Sequence, residues 1–121
     1  MSKKLLVVDD SQTVRTLISF ILSSNGFDVD SAINGIDALE KIYRENYDLI
    51  VCDINMPKMD GLTLIKVLRL QDLYKELPII IVSTEESEED KQKGIEAGAN
   101  VYLVKPTDPG SLLGNVQMLL G

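Results

Sequence analysis

Apolar positions fall into four short unbroken runs, Leu5 to Val8, Leu49 to Cys52, Ile79 to Val82 and Val101 to Val104, rich in β-branched side chains. Continuous runs of this length predict strands buried on both faces, the habit of a parallel sheet. A fifth run, Phe27-Asp28-Val29-Asp30, alternates apolar and acidic. That pattern predicts an edge strand with one wet face.

Between the runs the apolar period lengthens to that of a helix. The clearest stripe is Val14, Leu17, Ile18, Ile21 and Leu22, ended by Asn25-Gly26. Weaker stripes follow: Ile36, Leu39 and Tyr43; Leu62, Ile65 and Leu68 or Leu70; and Leu112, Leu113, Val116 and Leu119 or Leu120. Glu85 to Ala99 is the least apolar candidate, with Ile95, Ala97 and Ala99 as its core contacts and an acidic start at Glu85, Glu86, Glu88, Glu89 and Asp90. Carboxylates suit the positive end of a helix dipole, and a helix anchored so thinly is free to move. Strand and helix alternate five times, which with right-handed crossovers predicts an α/β fold, a doubly wound five-stranded parallel sheet with helices on both faces.

Composition narrows the options. The 121 residues suit one domain, 1–121, and 45% hydrophobic with 26% charged residues is ordinary for a globular chain. A net charge of −7 with no Lys/Arg cluster argues against nucleic acid as a partner. Cys52 is the only cysteine, so no intramolecular disulfide forms, and its place in an apolar run suits a small core side chain. A single run of four apolar residues, Leu5 to Val8, precedes Asp9 and Asp10, too short for a signal core or a membrane span, so the expected compartment is the cytoplasm.

The polar residues just beyond the strands are Asp9 and Asp10, Asp53, Ser83 and Thr84, and Lys105. The carboxyl edge of an open α/β sheet is where ligands bind. Carboxylates gathered there repel unless a cation joins them, and oxygen ligands without His or Cys suit Mg²⁺. Magnesium commonly takes one or two carboxylates, leaving one free as a nucleophile. Each residue also has a plainer reading. Asp9, Asp10 and Ser11 suit a helix cap. Asp53 precedes a turn-rich stretch, Lys105 suits an ordinary surface position, and Tyr102 could cover the core with its hydroxyl in water.

Val7-Val8-Asp9-Asp10-Ser11, Cys52-Asp53-Ile54-Asn55-Met56-Pro57 with Asp60-Gly61, Ser83 after an apolar strand, and Lys105-Pro106 together resemble the receiver domain of response regulators, of the single-domain chemotaxis type. The resemblance covers essentially the whole chain. It implies the flavodoxin-like (βα)5 sandwich with strand order 2-1-3-4-5. Asp53 then corresponds to the phosphoacceptor; Asp9, Asp10 and Asp53, with the backbone carbonyl of Asn55, to the Mg²⁺ site; Ser83 and Lys105 to the phosphate-contacting hydroxyl and ammonium; and Tyr102, with Ser83, to the switch.

The same resemblance implies a histidine kinase or a histidine phosphotransfer protein as phosphoryl donor, and a downstream protein target at the face of the fourth helix, fifth strand and fifth helix. The chain has no histidine, so it is neither of those donors itself. Thr107 stands where an aromatic residue often follows Lys-Pro, and the last helix carries Gly110 and Gly114 and no charge after Asp108. No residues remain for an output domain, so the expected output is a protein–protein contact. Phosphorelay and phosphate-sink roles stay open, while the Asn55 and Glu85 pair leans toward chemotaxis. Haloacid-dehalogenase-type phosphatases want a second Asp where Asn55 stands, and a flavodoxin-like cofactor carrier wants a Ser/Thr/Gly-rich phosphate cradle.

Overall fold

The computed structural model describes residues 2–121. Five strands and five helices alternate: β1 (Lys4–Val8), α1 (Gln12–Ser23), β2 (Asp28–Ala32), α2 (Gly35–Arg44), β3 (Leu49–Cys52), α3 (Gly61–Arg69), β4 (Ile79–Ser83), α4 (Glu88–Ala97), β5 (Val101–Val104) and α5 (Pro109–Leu120). All strand pairs are parallel, in the order β2-β1-β3-β4-β5. The expected doubly wound sandwich is the observed fold.

Side chains alternate across a strand, so each strand feeds two cores. Leu5, Val7, Leu49, Val51, Ile80 and Val82 point to one face, under Ile18 and Leu22 of α1 and Leu112 and Val116 of α5. Leu6, Val8, Ile50, Cys52, Ile79 and Ile81 point to the other, under α2, α3 and α4. Every helix starts on a short polar side chain that accepts a backbone N–H of its first turn: Ser11, Asn34, Asp60, Ser87 and Asp108. Among the described residues, no helix is long and apolar enough to cross a membrane.

Several expectations require correction. The run Val101 to Val104 is a strand, but all four residues are only half-buried, because β5 lies at the sheet edge. β2 is the other edge, as expected, yet it begins at Asp28. The Phe27 N–H still bonds back to the Leu22 carbonyl (3.3 Å), which keeps that residue with the end of α1.

Leu17 of the α1 stripe is 58% exposed, and Ile18 and Leu22 carry the contact. On α2 the inward residues are Ala38 and Ile42, while Ile36 and Tyr43 are exposed; the Tyr43 ring instead sits 6.1 Å from that of Tyr74. Leu70 caps α3 and faces solvent. α4 begins only at Glu88, leaving Glu85 and Glu86 in the preceding loop. Its core contacts are Gly94 and Ala97, and Ile95 is 48% exposed.

Candidate functional site

β1 and β3 are adjacent in register, with Val8 opposite Cys52, so Asp9 and Asp53 emerge side by side. This is where the strand order reverses, since the chain moves outward from β1 to β2 on one side and to β3 on the other. The Asp9 N–H bonds to the Ala32 carbonyl (3.1 Å) and the Asp53 N–H to the Val8 carbonyl (2.9 Å), extending the sheet ladder into the site. Both carboxylates are buried, whereas Asp10 is exposed. Oxygens of Asp9, Asp10 and Asp53 lie within 4.8 Å of one another.

Lys105, one residue past β5, is positioned by its N–H bond to the Ser83 carbonyl (2.8 Å). Its Nζ donates to Asp9 Oδ2 at 2.8 Å and lies 3.5 Å from Asp53 Oδ2. The ammonium thus pairs first with Asp9 and reaches the rim of Asp53. Asp9 is held at two further points. Its Oδ1 accepts the Ser11 N–H (2.9 Å), and the Arg15 guanidinium donates to its backbone carbonyl (2.7 Å). Ser11 still caps α1 through Val14, so capping and the acid site coexist in one turn.

Asp53 Oδ1 accepts the Ile54 N–H (2.8 Å). Burial raises the Asp53 pKa above its ordinary value, and the Asp9 charge adds to this, while Lys105 pulls the other way. Lys105 shows the complementary balance. Burial alone would lower its pKa, but the Asp9 hydrogen bond and the two carboxylate charges carry it above the ordinary value. Acidic oxygens outnumber the one ammonium, so the site has room in charge for a further cation.

The donor set fits a hard cation such as Mg²⁺. All three converging groups are carboxylates, and no imidazole exists in the chain. The one nearby thiol, Cys52, is fully buried and donates to the Asp53 carbonyl (3.0 Å), and burial first, then the neighbouring aspartates, push its pKa up. It is a core residue, as expected.

The loop from β3 to α3 closes tightly over this floor. The Gly61 N–H bonds to the Ile54 carbonyl (2.8 Å), and a Cβ at Gly61 would collide with the Asp53 carbonyl oxygen. Lys58 and Met59 both adopt positive φ, 61° and 134°, so the loop beside Asp53 stores backbone strain.

Ser83 is fully buried at the end of β4, and its Oγ accepts the Glu85 N–H (3.1 Å). Asn55 is exposed at the mouth, its Nδ2 donating to Glu85 Oε1 (3.0 Å). Tyr102 is half-buried, and its hydroxyl donates to the Glu85 carbonyl (2.7 Å) rather than standing free in water. Glu85 therefore touches the site hydroxyl, the mouth and the aromatic residue at once. Asp9, Asp10, Asp53 and Lys105 gather at one edge, and Ser83, Asn55 and Tyr102 join through Glu85. Sequence reasoning did not reach Arg15 or the Gly61 closure. Arg15 lies on the first turn and a half of α1, but nothing in its spacing points at a backbone carbonyl.

A sequence profile described as the response regulator receiver domain matches residues 5–117. The chain is 41% identical over 120 residues to the alkaline phosphatase synthesis transcriptional regulatory protein PhoP of Bacillus subtilis, with 99% of this chain and 49% of that protein covered. It thus spans about half the length of that relative. It is also 41% identical over 120 residues to the chemotaxis protein CheY1 of Helicobacter pylori strain J99, covering 98% of this chain and 97% of that one. Among solved structures, the chemotaxis protein CheY4 of Vibrio cholerae superposes with a TM-score of 0.93 at 41% identity, covering 99% of this chain and all of that one.

Proposed function

This chain belongs to the response regulator receiver domain family, and from that premise we propose that residues 1–121 act as one phosphoacceptor switch in which Asp53 takes up the phosphoryl group. The family is a signalling phosphoacceptor, and two-component signalling is its setting. The observation that carries the assignment is the convergence of Asp9, Asp10 and Asp53 with Lys105 at one sheet edge.

In the proposed step an Asp53 carboxylate oxygen attacks phosphorus, a P–O bond to Asp53 forms, and the phosphorus bond to the donor breaks with its electron pair leaving on the donor. A phosphohistidine of a histidine kinase or of a histidine phosphotransfer protein is the donor. Asp9, Asp10 and Asp53, with the Asn55 backbone carbonyl, would hold Mg²⁺, which neutralises charge on the phosphoryl oxygens when bound. Lys105 lies close enough to Asp53 to pair with the transferred group, and Ser83 would turn its hydroxyl toward it. Asp53 and these neighbours assist phosphorylation and hydrolysis without turning over a separate substrate.

A hydroxyl drawn toward Asp53 releases the Glu85 N–H, and Glu85 is the residue to which Tyr102 is bonded. The event at Asp53 is thereby passed to the α4-β5-α5 face, where a downstream protein target binds in the cytoplasm. Intact-mass measurement after incubation with acetyl phosphate, with and without Mg²⁺, tests the assignment. A metal-dependent gain of one phosphoryl group that is absent in Asp53→Asn is expected; a parent protein that gains nothing overturns it.

A further inference from the structure

The two ends of α4 are attached to the molecule in different ways. At the C-terminal end, Arg69 of α3 donates from Nε and Nη2 to the Gly98 carbonyl (3.0 and 2.8 Å), and from Nη2 to Asn100 Oδ1 (3.2 Å). Its Nη1 donates to the Tyr74 carbonyl (2.8 Å). Asn100 is itself tied to the start of β4, its Oδ1 accepting the Ile79 N–H (2.9 Å) and its own N–H bonding the Ile79 carbonyl (2.8 Å). A cation on the last carbonyls of a helix is favoured by the dipole, and the half-buried guanidinium has no carboxylate within ion-pair distance among the described residues. None of these groups touches the acid site.

The N-terminal end is different. Residues just before α4 meet the body through Glu85, whose N–H reaches Ser83 Oγ, whose carbonyl holds the Tyr102 hydroxyl and whose carboxylate holds Asn55. All three partners are site or switch residues in the function proposed above. Between the two ends the Tyr102 ring lies directly beneath Gly94. A Cβ there would stand 2.8 Å from Tyr102 Cδ2, 3.1 Å from its Cε2 and 2.8 Å from Ile81 Cδ1. The two 2.8 Å approaches are closer than real Cβ atoms come, so the ring holds this place because residue 94 has no side chain.

We propose, resting on the phosphoacceptor reading, that Arg69 and Gly94 are positioning residues of the switch. Arg69 pins the C-terminal end of α4 as a pivot at Gly98, and Gly94 supplies the clearance that seats Tyr102 beneath the helix. Phosphorylation at Asp53 then tilts the N-terminal half of α4 and leaves the pinned end in place. The partner-facing change is graded along the helix.

Amide chemical shifts of the ¹⁵N-labelled chain, recorded before and after addition of acetyl phosphate and Mg²⁺, test this with intact mass as the control for phosphorylation. In the parent, shift changes are large from Glu86 to Lys93 and small from Gly98 to Asn100. In Gly94→Ala, phosphoryl uptake stays within about twofold of the parent while the changes at Glu86 to Lys93 and at Tyr102 shrink at least about threefold. In Arg69→Met the gradient flattens, with Gly98 to Asn100 moving as far as Glu88 to Lys91.

Parent-sized changes in Gly94→Ala, or an even response along α4 in the parent, overturn the inference. Should Gly94→Ala fail to fold, the parent gradient and Arg69→Met decide the matter. A parent that takes up no phosphoryl group overturns the phosphoacceptor reading and this inference with it; a phosphorylated parent with an even response overturns this one alone.

Discussion

The first and fourth helices each follow a strand end that contributes to the site, but they are held to the sheet in opposite ways. α1 packs Ile18 and Leu22 against β1 and β3 side chains and, through Arg15, grips the backbone of Asp9. α4 offers only Gly94 and Ala97 to the core and spends its other positions largely on charge. Burial of large apolar side chains fixes a helix, whereas small contacts and surface ion pairs leave it low in local stability. The acids sit beside the fixed helix, and the proposed response surface is the loosely held one. Chemistry needs its oxygens in place, and signalling needs an element that moves at little cost.

Substitutions from the two regions should separate widely. The largest effect is expected from Leu22→Ala, where loss of a fully buried side chain costs about 3 kcal/mol, read from urea unfolding followed by circular dichroism. A cost under about 1 kcal/mol would erase the contrast.

Next comes Lys105→Met, which leaves Asp9 and Asp53 facing each other without their shared ammonium. A destabilisation of about 2 kcal/mol at neutral pH is expected, together with roughly 100-fold slower uptake from acetyl phosphate. Because the folded state raises the Lys105 pKa, its stabilising contribution is complete below the ordinary 10.5 and is lost as pH rises through the folded value. Unfolding curves of parent and variant should therefore converge in strong alkali; a gap that persists there would show that packing, not charge, is lost.

Asp53→Asn should act in the opposite direction. The raised Asp53 pKa means that the ionised carboxylate works against the fold. That cost is absent below the ordinary 3.8 and complete above the folded pKa. In chelator-treated buffer at pH 7 the variant should be the more stable of the two, with the advantage vanishing below pH 3.8. Equal thermal stability at pH 7 would contradict the burial argument. The smallest effect is assigned to Ile95→Ala on the exposed side of α4, within about 0.5 kcal/mol by the same denaturant titration.

Much of this arrangement was legible before any fold was known. All five strands, all five helices and the acids at the strand ends followed from runs, periods and the polar residues after them. Each error has a physical cause. On α2 the larger residues Ile36 and Tyr43 looked like the core face, yet Ala38 and Ile42 are inside, because close packing of a helix on a sheet rewards small side chains as well as apolar ones. On β5 an apolar run looked doubly buried, but its place at the edge depends on which strands lie beside it. Arg15, Gly61 and Arg69 went unassigned because each acts on a backbone carbonyl or against one, and such a partner leaves no mark in side-chain pattern.

What the sequence alone determined is local and periodic: where strands and helices lie, that short polar residues cap the first helix, and that acids and a lysine follow strands. Only the tertiary structure decided that Lys105 meets Asp9 across 96 positions of chain, that Glu85 gathers Ser83, Asn55 and Tyr102, and that one end of α4 is pinned while the other hangs on the site. Periodicity records which face of an element is apolar. It carries no information about which other element that face, or the polar residue at its end, will meet, because that follows from strand order and register across the whole sheet.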